Sequence, residues 1–125
     1  MHDQPSISEL VQSVKNFVDE SAMPELTGRA AFHARVASNV LATILRDLES
    51  RGENDAEEYD RLKQLLDGPE GATRKQLNEE LRQKIRSGAL TIQSEELMGH
   101  LKKTAIAQLK VDQPKYSGLK TALEE

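Results

Sequence analysis

Apolar residues recur three or four positions apart along almost the whole chain, while period-two alternation and runs of β-branched or aromatic residues do not occur. That spacing predicts helices and no sheet. After Pro5, Ser6 followed by Glu9 has the spacing of a capping box, and Ile7, Leu10, Val11, Val14 and Val18 form one stripe that Met23-Pro24 ends. Thr27 can cap a second helix, the longest, which reaches about Arg51, with Gly52 placed to close it in the left-handed conformation. Asn54 or Asp55 can cap a third, with Ala56, Tyr59, Leu62 and Leu66 inward, until the run Asp67-Gly68-Pro69-Glu70-Gly71 breaks it. Thr73 with Gln76 repeats the capping-box spacing ahead of Leu77, Leu81 and Ile85, and Gly88 marks the end. Ser94 can cap a fifth helix with Leu97, Met98, Leu101, Ala105 and Leu109 on one side, which Pro114 forbids to run much beyond Val111.

Short connections between consecutive helices predict antiparallel neighbours. The expected fold is all-α, a single-domain up-and-down helical bundle of about five helices with a long central second helix. Residues 1–113 make the bundle, and residues 114–125 form a tail in which Leu119 and Leu123, one turn apart, can dock as a helical turn. On the second helix Phe32, Val36, Ala37, Val40, Leu41, Ile44 and Leu48 fan over one side, with His33 among them and Arg35, Ser38, Asn39 and Arg46 turned away. These apolar side chains are expected in one shared interior, and His33 is expected to be buried there or to line something.

Composition adds bounds. A chain of 125 residues suits one domain that buries roughly two-thirds of its unfolded surface, so neither metal nor disulfide is needed, and there is no cysteine. Asp3, Glu9, Asp19 and Glu20 interrupt the apolar positions of the first twenty residues, and no continuous apolar run is long enough for a signal peptide or a membrane span. The expectation is a cytoplasmic protein with no membrane partner. A net charge of -4 with interleaved signs, and only two Phe and two Tyr, argue against nucleic acid as a partner.

Candidate chemistry gathers at the start of the second helix. An arginine in a first helical turn opposes the dipole unless an anion or a carboxylate compensates it. Arg29 and His33 are four apart and share a side, so Thr27, the N–H groups around Gly28 and these two side chains could hold a phosphate or carboxylate. The competing reading pairs Arg29 with a neighbouring acid and makes His33 a core histidine. No catalytic residue is assigned, since no nucleophile elbow or glycine-rich phosphate loop occurs. No metal or cofactor is expected either. The histidines His2, His33 and His100 are scattered, and the nearest acidic pair, Glu96 with His100, reads as solvated surface on the fifth helix. Asp47 lies about 20 Å along the helix from His33 at about 1.5 Å per residue, too far to pair with it. Tyr116 can anchor the tail by a hydrogen bond across the bundle end.

Four stretches carry a resemblance: the opening M-H-D-Q-P-S, the central P-E-L-T-G-R-A-A-F-H-A-R-V-A-S-N, then L-R-Q-K-I-R-S-G, and L-K-V-D-Q-P-K-Y-S near the end. The chain resembles a bacterial family of small all-helical proteins of unknown function, commonly encoded near acyl-CoA dehydrogenases and aminoglycoside-phosphotransferase-like kinases. The resemblance implies an accessory role beside such enzymes and assigns no catalytic residue. The leading reading is therefore a non-enzymatic accessory or interaction protein, a homodimer that covers surplus apolar surface, with a possible protein partner from acyl-CoA or phosphotransferase metabolism. The alternative is a small-molecule protein in which Thr27, Gly28, Arg29 and His33 hold an anionic ligand and His33 acts as acid or base.

Overall fold

Ser6 starts the first helix as its spacing indicates: its hydroxyl accepts the Glu9 N–H at 3.1 Å. Helix α1 (Ile7–Asn16) runs on as a π-helical stretch, Phe17–Ala22, and a 3-10 turn, Met23–Glu25, that contains Pro24. The computed structural model describes residues 4–125, so His2 and the first three residues of the M-H-D-Q-P-S opening lie outside the described residues. Helix α2 follows as Gly28–Leu66, then α3 (Arg74–Ser87), α4 (Glu95–Asp112) and α5 (Ser117–Glu124). Among the described residues the chain is all-α, with five α-helices and a long second one.

The expected second and third helices are one helix of 39 residues. Gly52 does not close it, and Asn54 and Asp55 do not cap a new one. A lone glycine costs about 1 kcal/mol in a helix interior. That is too little to break a run flanked by Glu49, Arg51, Glu53 and Ala56, with Asp47 and Arg51 paired one turn apart. The tail supplies the fifth helix instead: α5 buries Leu119, and Lys102 of α4 reaches Glu125 at 3.2 Å.

The chain forms two compact units, Met1–Arg51 and Gly52–Glu125. In the C-terminal unit Leu62, Leu66, Leu77, Leu81 and Leu97 make the core, with Tyr59, Leu65, Ala72 and Leu90 packed against it. Burying one such leucine contributes about 1.5–3 kcal/mol. Local signals fix the ends of these helices. Thr73 and Gln76 form both bonds of a capping box (2.8 and 3.1 Å), Gly88 ends α3 at φ 82°, and Ser94 caps α4 through the Leu97 N–H at 3.1 Å. Helix α4 sits rotated from its expected face: Leu97, His100 and Val111 are buried, while Met98 and Leu101 face solvent.

The N-terminal unit departs most from expectation. Val36, Val40 and Ile44, assigned to the shared interior, are 43%, 53% and 39% exposed. The side of α2 that is covered carries Ala31, Ala34, Ser38, Leu41, Leu45 and Leu48. Helix α2 is apolar on two sides, and the covered side is the one with small residues, where Ser38 meets Asp19 of the π-helical stretch. Every hydrophobic side chain in the buried class among the described residues, from Leu62 to Leu119, belongs to the C-terminal unit.

Candidate interaction surface

The N-terminal unit is a helical hairpin pinned by polar atoms. Ser38 donates to Asp19 at 2.5 Å, and Lys15 donates to the other Asp19 oxygen at 2.7 Å. This bond ties the π-helical stretch to α2 across the Met23–Glu25 turn. The Lys15 and Ser38 hydrogen bonds hold the Asp19 carboxyl below its ordinary value, against the opposing effect of desolvation. Of the N-terminal unit's described residues only Ser38 is buried, and its hydroxyl is satisfied.

Around this pin stand two exposed apolar stripes. On the first helical segment they are Ile7, Leu10, Val14 and Phe17, spaced three, four and three; on α2 they are Phe32, Val36, Val40 and Ile44, each four apart. Each stripe carries one bare ring, Phe17 62% and Phe32 58% exposed. The α2 stripe lies on the side turned away from Ala31, Ala34 and Ser38. From these exposures the two stripes together leave roughly 800 Å² in water, about what one partner contributes to a standard protein interface. A typical monomer's largest apolar patch is about 300–600 Å².

The four residues singled out for anion binding lie at the N-terminal end of α2. Gly28 opens the helix at φ +59°, a left-handed conformation that glycine tolerates, and the Thr27 carbonyl accepts the Ala31 N–H at 3.5 Å. Thr27, Gly28, Arg29 and His33 are all exposed. Arg29 makes no ion pair among the described residues. His33 is neither buried nor walled in; its ring meets Phe32 edge-on, with centroids 5.6 Å apart. It stands beside the exposed stripe, on the side of α2 turned away from Ser38 and its bond to Asp19. Asp47 pairs with Arg51 of its own helix. Tyr116 is half exposed, with its ring over Gly118.

The buried histidine is His100, which the sequence had placed at the surface. It is 5% exposed and accepts at Nδ1 from the Arg61 Nε at 3.2 Å, while Arg61 also reaches the Thr104 hydroxyl at 3.2 Å. Desolvation pushes the His100 pKa down, Arg61 adds to that, and Glu58 opposes both. Glu58 accepts from Arg74 at 2.9 Å and from Asn78 at 3.0 Å, which outweighs its desolvation and leaves its pKa lowered. A cleft of about 420 Å³ borders this network, with Arg61, Glu95, Gly99, His100 and Lys103 on its walls. The available signal was the spacing of Leu97, His100, Thr104 and Val111, a second inward face competing with the more apolar one. Among the described residues no group of three or more His, Asp or Glu side chains is placed to hold a metal ion, and no helix is long and apolar enough to cross a membrane.

The family model described as "Domain of unknown function (DUF6285)" matches residues 24–116, most of the chain. The chain belongs to this family. The domain so delimited holds the α2 stripe from Phe32 to Ile44 and the His100 network, while the stripe from Ile7 to Phe17 precedes it. No curated protein and no solved structure matches the chain.

Proposed function

We propose that this protein is a non-enzymatic helical interaction protein that works as a homodimer, built by burying the two apolar stripes of the N-terminal hairpin against a second copy. One observation carries the reading: eight large apolar side chains, four on each helical segment, are exposed in a unit that fully buries no hydrophobic side chain among its described residues. Short helices in water draw most of their stability from packing an apolar face. A hairpin whose apolar side chains are at most half-buried gains from a cover, and a second copy supplies matching area. The exposed positions of Thr27, Gly28, Arg29 and His33 favour this reading over the anion-site alternative.

An accessory role beside an acyl-CoA-metabolising or phosphotransferase-type enzyme belongs to the same proposal, with the family resemblance as its support. The test is a double variant, Val36→Glu with Val40→Glu, compared with the unaltered chain by light scattering coupled to size exclusion. The unaltered protein is expected to run as a dimer and the variant as a helical monomer. A variant that dimerises as tightly as the unaltered chain overturns the proposed surface.

A further inference from the structure

The two stripes differ in charge, and the difference selects how they pair. The segment from Ile7 to Ala22 carries Glu9, Asp19 and Glu20 against Lys15 alone, and Lys15 is already engaged by Asp19. Glu9 and Glu20 are exposed. From Gly28 to Leu45 helix α2 carries Arg29 and Arg35, both exposed, and no acidic residue. Like helices laid together would set acid beside acid and arginine beside arginine. Unlike helices set acid beside arginine.

The lengths agree as well. Ile7 to Phe17 covers about 15 Å of helix and Phe32 to Ile44 about 18 Å at about 1.5 Å per residue, so either stripe can seat the other along its whole length. Resting on the proposed dimer, we infer that each copy lays its acidic first stripe on the basic α2 stripe of the second copy. A two-fold axis makes this contact twice, once on each copy's α2 stripe. Charge complementarity of this kind steers association and rejects the wrong register.

The inference is tested by charge reversal, with dimer affinity followed by sedimentation equilibrium at low and high salt. One variant carries Arg29→Glu and Arg35→Glu, a second Glu9→Lys and Glu20→Lys, and a third all four changes. Circular dichroism confirms that each stays helical. The unaltered dimer is expected to weaken as salt screens its attraction. Each double variant is expected to lose about tenfold or more in affinity, since by symmetry every like-charge contact so created occurs twice in the dimer, and the fourfold variant to regain most of the loss. An unaltered dimer that salt strengthens, or double variants that pair as tightly as the unaltered chain, overturns this pairing and leaves self-association standing. An unaltered chain that stays monomeric overturns both.

Discussion

Gly68 precedes Pro69 in the turn after α2, and a Cβ built on it would lie 2.7 Å from Cδ2 of Leu77, a core side chain only 1% exposed. Gly68→Ala is therefore expected to destabilise the protein by about 1–3 kcal/mol, as overpacking does, measured by urea unfolding. His100 gives a pH signature. Burial holds its folded pKa below the ordinary histidine value of 6.5, so the unfolded chain binds the proton more readily. Its contribution to stability is full above about pH 6.5 and is lost as pH falls through that value toward the folded pKa. Unfolding followed from pH 8 to pH 5 is expected to show that decline, and His100→Gln to flatten it. At this scale the caps were legible, because Ser6, Thr73, Gly88 and Ser94 act through neighbours within four residues. The exchange between His33 and His100 was not legible. Which histidine is buried depends on the partner each helix turns inward, here Arg61, 39 residues from His100 in sequence.

At the scale of the element, α2 passes through Gly52 without a break, and a Cβ there would meet no other atom. Gly52→Ala is expected to stabilise the protein by about 0.5–1 kcal/mol, read as a raised urea midpoint, because it removes backbone freedom from the unfolded chain at a helical position. Had Gly52 been the left-handed end of a shorter helix, the same change would destabilise. A glycine followed by Asn54 and Asp55 reads equally as a stop followed by caps, and the choice is made by the summed propensity of the residues around it. The same limit applies to α2's faces. Phe32, Val36, Val40 and Ile44 outweigh Ala31, Ala34 and Ser38 in apolar bulk, so periodicity favours the heavier stripe as the interior. The bond from Ser38 to Asp19 favours the lighter one.

Across the molecule, the family domain at residues 24–116 includes all five leucines of the C-terminal unit's core and one of the two exposed stripes. All-helical composition and a dominant second helix followed from spacing alone. The shared interior did not, because the number of apolar faces exceeds what one copy covers, and sequence periodicity counts faces without saying which chain closes them. Apolar area of roughly 800 Å² left on one small chain is the size at which pairs of proteins associate stably. Sedimentation equilibrium of the unaltered protein over a range of micromolar concentrations tests this most directly: a mass of twice 13.9 kDa is expected, and a mass of 13.9 kDa persisting at the highest concentration would contradict it.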